Sequence, residues 1–374
     1  MLEDEFKSRL KKIQAYLDEK EFDGILAYSM PWRKDHVRYI ANYRTWGGHS
    51  YALLSKMGKL TLFITIPDDV ERAEEESWAS KVIPLSSAPW QELIAEIKDL
   101  GIKKRLGVAG LEFCPAKTIA AIQEQFPHLE IISSSNALIN IRAVKSDYEI
   151  GMMRKAARIC DLGFQTFLEH AHQGIKEYEL VAEVERRVRH EGAEDHFMII
   201  ASGGKDTMCM TPPRDKELRL GELVLTEVTP QYHGYWTQIC RSVAIGDISK
   251  EMQQSHDIFF RATEEALKIA KPGVPITKLA EIQNQVFREE GFGEYTSLHW
   301  TRSRGHGQGL HLDEPPLIAE GNEMVLQEGM VIIVHPNTYL PLAGYMVFGD
   351  PTLITSDGLE ILTKTERKLF CQSS

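Results

Sequence analysis

The pattern of the chain changes at Ser146, and this change constrains the fold more than any other sequence feature. Ser146 can cap a helix, and Glu149, at the third position of that helix, completes a capping box. Before this point short helical and strand-like segments alternate, which predicts an α/β domain over residues 1–142. After it, long amphipathic helices precede strand hairpins, which predicts an α+β domain over residues 143–374.

Charge and cysteine usage narrow the class of protein. The 54 Asp and Glu residues outnumber the 43 Lys and Arg residues and give a net charge of −11, so we expect neither a nucleic-acid partner nor a membrane partner. The five cysteines are odd in number and contain no CxxC pair, which favours a reducing compartment. The first residues are charged and lack an apolar signal segment. We therefore predict a cytoplasmic protein.

The glycine-rich stretch over residues 305–316 is the most unusual in the chain. It contains His306, His311, Asp313 and Glu314 between glycines and a pair of prolines. Glycine lets the backbone approach a ligand closely, and histidine suits both proton transfer near neutral pH and metal ligation. A tight turn with solvated histidines is the alternative, and spacing alone favours it.

Two strands deliver polar side chains to their ends. Alternation places Leu223, Leu225 and Glu227 on one face of a strand, so that a carboxylate ends an apolar row. A buried carboxylate needs a partner or a proton, so Glu227 is either functional or near the rim of the sheet. His335 follows the apolar run over residues 331–334 and is either functional or a core histidine.

The order of these segments resembles the creatinase and Xaa-Pro aminopeptidase family, whose catalytic domain has the pita-bread fold. The similarity covers nearly the whole chain. It rests on segments that match the family's motifs in order and separation, at residues 37–43, 142–150, 201–204, 221–225, 234–235, 305–310 and 328–331. The resemblance implies a strand at residues 37–40, a creatinase-type α/β domain over residues 1–142 and a pita-bread domain over residues 143–374.

The resemblance also implies a set of metal ligands, from which this sequence departs. Metallopeptidases of the family hold two metal ions with two Asp, one His and two Glu. The matching positions here carry Glu227, Gln238, His306, His335 and Gly349, so only the histidine is kept. Two divalent cations need bridging carboxylates, and these replacements make a dinuclear site improbable.

Two further positions separate the chain from its metal-free relative, creatinase. The catalytic His of creatinase matches the region of Met210 and Thr211, and its hairpin Glu matches Cys240. The second histidine of the family's His-Gly loop matches Asp313. We interpret Cys240 as a small buried side chain.

The first hypothesis is a metal-independent hydrolase of an amide or amidine C–N bond in a small-molecule substrate, with peptidase activity doubtful and no cofactor expected. His306 and His335 would act as general acid and base, and Glu227 and Gln238 would orient the substrate. The remaining candidates are substrate-binding residues: Tyr235, Trp236, His311, Asp313, Arg304, Trp46 and His49. The resemblance implies a homodimer in which the N-terminal domain, with Trp46 and His49, closes the neighbour's site.

Two alternatives stay open. One is a single-metal hydrolase or Xaa-Pro peptidase, with one divalent ion held by Glu227, His306 and His335 and with Gln238 as a weak fourth ligand. The other is a non-catalytic binding protein on the same fold. We rank it last, because the family's binding members carry long acidic or basic segments and this chain has none.

Overall fold

A computed structural model describes residues 2–372. The chain divides into two compact units, Met1–Arg142 and Ala143–Ser374. Six helices begin in the first unit: α1 (Leu2–Glu19), α2 (Asp35–Ala41), α3 (Val70–Glu76), α4 (Trp90–Asp99), α5 (Ala116–Gln125) and α6 (Ser135–Ala143). Its strands are β1 (Gly24–Ser29), β2 (Ser50–Ser55), β3 (Leu60–Ile64), β4 (Lys81–Pro84), β5 (Arg105–Ala109) and β6 (Glu130–Ser133).

The six strands of the first unit form one mixed sheet in the order β4-β3-β2-β1-β5-β6. The pairs β1–β2 and β2–β3 are antiparallel, and the pairs β3–β4, β1–β5 and β5–β6 are parallel. Parallel pairs joined through helices are typical of α/β domains. The α/β prediction for this part of the chain is therefore confirmed.

The predicted strand at residues 37–40 is wrong, because these residues lie in helix α2. Val37, Tyr39 and Ile40 are residue types that favour strands. All seven residues of α2 are buried, so no polar face marks its helical period in the sequence. The helix ends at Asn42, whose left-handed backbone (φ 57°) lets its N–H cap the carbonyl of Arg38.

The second unit begins with the predicted helix cap. The Ser146 hydroxyl accepts a hydrogen bond from the Glu149 N–H at 3.2 Å, and the Glu149 carboxylate accepts one from the Ser146 N–H at 3.0 Å. The helices that follow are α7 (Asp147–His170), α8 (Glu177–His190), α9 (Lys250–Ile269) and α10 (Ile276–Glu289). None of the helices within residues 2–372 is both long enough and apolar enough to cross a membrane.

The strands of the second unit form two larger sheets and one hairpin. The first sheet contains β7 (Asp195–Gly203), β8 (Leu223–Tyr232), β9 (Tyr235–Trp236), β10 (Ile239–Ile245) and β17 (Phe370–Gln372). The second contains β11 (Gly305–Gly307), β12 (Val331–Val334), β15 (Pro351–Ile354) and β16 (Leu359–Ile361). The hairpin is β13 (Thr338–Leu340) with β14 (Gly344–Met346). Helices and mainly antiparallel strands confirm the α+β prediction.

Strand alternation decides which side chains these sheets bury among apolar neighbours. Val224 and Val228 of β8 pack into a core with residues of α7 and α8. Ile332 and Val334 of β12 pack into a core with residues of α9 and α10. The alternate residues of both strands therefore point to the opposite faces, and these faces carry the polar side chains described next.

Candidate active site

Three chemically reactive side chains converge in the second unit. Glu227 in β8 lies directly opposite Cys240 in β10 in the antiparallel register, and His335 follows β12. One potential ligand atom from each of these residues lies within 4.8 Å of the others, and all three residues are buried. We call Glu227, Cys240 and His335 the ligand trio.

Glu227 has few hydrogen bonds for a buried carboxylate. Its Oε1 accepts hydrogen bonds from Asn337 Nδ2 at 3.3 Å and from Cys240 Sγ at 3.6 Å. Burial, and then the negative charge of Asp313, raise the pKa of Glu227 to about 7. Near neutral pH the carboxyl group of Glu227 is therefore partly protonated and partly ionised, and a nearby cation would stabilise the ionised form.

Cys240 lies between Glu227 and Gln238. Gln238 Nε2 donates a hydrogen bond to Cys240 Sγ at 3.1 Å. Burial, and then the charge of Glu227, raise the pKa of the Cys240 thiol well above its usual value. In the absence of a cation the thiol stays protonated, so it is not an activated nucleophile.

His335 is held as a neutral imidazole. Burial, and then the neighbouring His306, lower the pKa of His335 well below its usual value. Neither of its ring nitrogens has a hydrogen-bond partner of acceptable geometry within residues 2–372. A neutral imidazole with an available lone pair is the form that binds metals.

His306 lies beside the trio but faces other groups. Its ring packs edge-on against His335, with 4.9 Å between the centroids. His306 Nδ1 is 2.9 Å from the Gly307 carbonyl, and Nε2 is 3.1 Å from Asp313 Oδ1. These two contacts fix the orientation of the ring from both sides.

The ligand trio fits one divalent cation. A divalent cation would stabilise all three side chains. It would replace the protons of the buried carboxyl group and the buried thiol, and it would accept the lone pair of the unpartnered imidazole. Thiolate, imidazole and carboxylate together are ligands typical of Zn²⁺. The ligand trio differs from the ligand set predicted for the single-metal alternative, because it contains Cys240 where that set contained His306.

The same residues do not fit two cations. A side chain at position 349 has no room, since a Cβ on Gly349 would lie 2.7 Å from the Cβ of His335 and 2.8 Å from the Val334 carbonyl. Gln238 supplies an amide where a bridging carboxylate is needed. Within the described chain the ligand trio is the one group of three or more candidate ligands found.

Sequence reasoning missed the roles of Cys240, Asn337 and Tyr345. Tyr345 packs against the apolar cluster around Cys240, and burial followed by the charge of Glu227 raises its pKa above the usual value. Strand alternation from Gln238 could have found Cys240, which is two residues further along the same face. No sequence signal distinguishes Tyr345, because its place depends on the pairing of β13 with β14.

Three predicted substrate-binding residues make protein contacts in the structure. The Tyr235 hydroxyl donates to Glu149 at 2.9 Å, and the Trp236 N–H donates to the Gly309 carbonyl at 2.7 Å. The buried Arg304 guanidinium donates to Asn284, to the Pro336 carbonyl at 3.1 Å and to the Tyr295 carbonyl. Through Pro336, Arg304 holds the turn that carries His335.

The other predicted binding residues lie at more accessible positions. Asp313 is 44% exposed at its side chain and contacts both His306 and Arg302. His311 is half-buried in the same loop. In the first unit Trp46 is half exposed and donates from Nε1 to Asp69, and the His49 ring contacts Tyr51. Their role at a homodimer interface stays a prediction.

Comparisons with known proteins agree with the motifs. Residues 151–356 match the family described as Metallopeptidase family M24, and residues 9–144 match the Creatinase/Prolidase N-terminal domain. A protein of Pyrococcus horikoshii named Xaa-Pro dipeptidase is 30% identical over 98% of this chain and 100% of its own length. A protein of Pyrococcus furiosus with the same name is 30% identical over 97% of this chain and 100% of its own length.

Solved structures show the same similarity. A prolidase from Pyrococcus horikoshii has a TM-score of 0.84 at 31% identity and covers 97% of this chain and 99% of its own. An X-Pro aminopeptidase from Thermotoga maritima has a TM-score of 0.86 at 27% identity and covers 97% of this chain and 99% of its own. These similarities confirm the predicted architecture, a creatinase-type N-terminal domain followed by a pita-bread domain.

The comparisons correct the cofactor prediction. We expected no cofactor, but most of the second unit matches a family of metallopeptidases, and the structure brings three candidate ligands together. The prediction rested on the family's own ligand positions, whereas the candidate ligands that the structure brings together include Cys240, which lies outside those positions. The named relatives are peptidases, which hydrolyse C–N bonds. They support the hydrolase prediction but not the doubt about peptidase activity.

Proposed function

Because this chain belongs to the metallopeptidase family M24, we propose that it is a metal-dependent hydrolase of small Xaa-Pro peptides, with one divalent ion held by Glu227, Cys240 and His335. The convergence of this ligand trio is the observation that carries the proposal. The relatives named Xaa-Pro dipeptidases, which match over their full length, support the substrate class. The number of ions follows from the donors, since position 349 has no room for a further carboxylate.

A bound divalent ion supplies Lewis acidity and lowers the pKa of water. The chain's own residues supply the remaining functions. Asn337 Nδ2 holds Glu227 Oε1, and Gln238 Nε2 holds Cys240 Sγ, so both acidic ligands are oriented by a neighbouring amide. Such contacts around a metal site fix the ligands and tune their basicity.

His306 is the candidate general acid. Its Nε2 faces Asp313 and its Nδ1 faces the Gly307 carbonyl, so the ring is oriented from both sides. As a general acid, His306 would pass a proton to the leaving nitrogen when the C–N bond breaks. The ring of Tyr345 and the apolar residues around Cys240 exclude water from this side of the site.

The proposal is tested by metal analysis and peptide hydrolysis on protein purified without a polyhistidine tag. We expect about one equivalent of metal per chain, hydrolysis of Xaa-Pro dipeptides, loss of hydrolysis on chelation and recovery with Zn²⁺, Mn²⁺ or Co²⁺. His335→Asn is expected to lose both the metal and the activity. His128→Asn changes an exposed histidine of the first unit and is the matched control.

Two results would contradict the proposal. One is a protein that hydrolyses Xaa-Pro dipeptides at an unchanged rate after its metal has been removed. The other is a protein that holds metal in the His335→Asn variant as tightly as the unmodified protein does.

A further inference from the structure

Gln308 lies in the glycine-rich loop, two residues after His306. Its backbone N–H donates to the Val331 carbonyl at 2.9 Å, which continues the ladder between β11 and β12 by one more bond. Residues two apart along an extended ladder point to the same face of a sheet. The side chain of Gln308 therefore lies on the face that carries His306 and, on β12, Ile333 and His335.

The Gln308 amide has no protein partner. The residue is 0% exposed, and neither Oε1 nor Nε2 has a hydrogen-bond partner among the residues that the structure describes. An amide has two N–H donors and an oxygen with two lone pairs. Leaving a buried polar group unsatisfied costs about 1–3 kcal/mol. An aliphatic side chain would avoid this cost, so a group from outside the chain is needed to explain glutamine here.

A second strand brings another unpartnered polar group to the same side. Thr229 lies two residues after Glu227 in β8, on the same face of that strand. Its side chain is 0% exposed, and its Oγ1 has no hydrogen-bond partner within residues 2–372. The antiparallel pairing of Val228 with Ile239 places Thr229 opposite Gln238. Strand β8 and the residue that follows β11 thus each present unsatisfied polar atoms beside the active site. The hydrogen bond from the Trp236 N–H to the Gly309 carbonyl, at 2.7 Å, joins the two segments.

We propose that Gln308 and Thr229 form a polar subsite that receives a carboxamide or ureido group of the substrate. An amide pairs with another amide through one N–H donor and one carbonyl acceptor on each partner, which satisfies both atoms of Gln308. Neither Gln308 nor Thr229 carries a charge, so a buried carboxylate or ammonium group would gain no counter-ion from them. The subsite rests on the proposed function and specifies the side chain that the hydrolase prefers.

The test compares glutaminyl-proline with methionyl-proline, whose side chains have nearly the same size. Sites built to hydrogen-bond a substrate group discriminate strongly against analogues that lack it. We expect the unmodified protein to favour glutaminyl-proline by about 10- to 100-fold in kcat/KM. Gln308→Met keeps the volume of the side chain and removes its amide, and it is expected to abolish this preference while methionyl-proline is still hydrolysed.

A matched control and a second variant make the comparison decisive. Gln283→Met changes another fully buried glutamine, in α10, whose Nε2 donates to the Leu279 carbonyl at 3.0 Å, and it should keep the preference. Thr229→Val removes the second polar group and should weaken the preference, which provides a test if Gln308→Met does not fold. Equal kcat/KM values for the two dipeptides, or a preference that survives in Gln308→Met, would overturn the subsite.

Failure of the subsite is distinguishable from failure of the proposed function. If neither dipeptide is hydrolysed, the proposed function is wrong, and calorimetric binding of the same two dipeptides to the purified protein decides the subsite. Tighter binding of glutaminyl-proline that disappears in Gln308→Met supports it. Equal affinities, or no binding of either dipeptide, overturn it and leave Gln308 as a residue that binds only buried water.

Discussion

Replacing Lys145 with methionine should destabilise the second unit strongly. Lys145 Nζ donates to Glu314 Oε1 at 3.0 Å and to the Ala143 carbonyl at 3.1 Å, and both side chains of the ion pair are almost fully buried. Removing one partner of a buried ion pair costs about 3–5 kcal/mol, because the other charge remains buried. For a domain of this size that corresponds to a fall in Tm of about 6–20 °C.

The matched control is Arg154→Met. Arg154 forms an ion pair with Glu360 in the same unit, at a shortest distance of 2.6 Å, but its side chain is 50% exposed. Exposed pairs contribute about 0.2–1 kcal/mol, so this variant should lose no more than about 4 °C. Thermal and urea unfolding of both variants measure the difference.

A double variant tests the reasoning further. Lys145→Met combined with Glu314→Leu removes both charges, and replacing a buried pair with apolar side chains is often nearly neutral. The double variant should therefore be more stable than Lys145→Met alone by more than about 1 kcal/mol. If Lys145→Met costs no more than Arg154→Met, or if the double variant is less stable than the single one, burial does not determine the strength of this pair.

Three other predictions can be checked separately. Asn337→Ala removes the amide that holds Glu227 and should lower metal affinity or kcat/KM by about 10- to 100-fold, measured by competition with a chelator and by dipeptide hydrolysis. Asp313→Asn should lower kcat, measured by dipeptide hydrolysis, because it removes the negative charge that contacts His306 Nε2. Hydrogen bonds from Arg72, and then from Tyr43 and Trp46, lower the pKa of Asp69 from 3.8 to about 2. The ionised Asp69 therefore contributes about 2 kcal/mol to the free energy of unfolding above pH 4, and this contribution is lost as the pH falls through 2. In urea unfolding, the difference in stability between the unmodified protein and Asp69→Asn should shrink as the pH falls from 4 to 2.

The pattern of the sequence was sufficient to predict most of the fold. The capping box at Ser146 and the change from alternating elements to helices followed by hairpins are local features, and local features are readable from the chain. Helix α2 was misread because all seven of its residues are buried, so its polar residues Asp35, His36 and Arg38 do not form a solvent-exposed face that would reveal a helical period. The family was predicted from several motifs taken together, among them residues 142–150, 201–204 and 305–310, because their order and separations match those of the family.

The composition of the active site depended on tertiary structure. Glu227, His306 and His335 were singled out from the sequence, because each ends an apolar strand or lies in an unusual loop. Strand alternation from Gln238 places Cys240 on the active-site face, but it does not identify Cys240 as a ligand. That role depends on the register with Glu227 and on the approach of His335, which is 95 residues further along the chain.

The orphaned amide of Gln308 is equally invisible in the sequence. A glutamine between two glycines reads as a solvated loop residue until the packing around it is known. Local sequence therefore determined the helices, the strands and the family, because these depend on neighbouring residues along the chain. Tertiary structure alone decided which polar groups are buried without partners, because burial and hydrogen bonding depend on segments that meet only after the chain has folded.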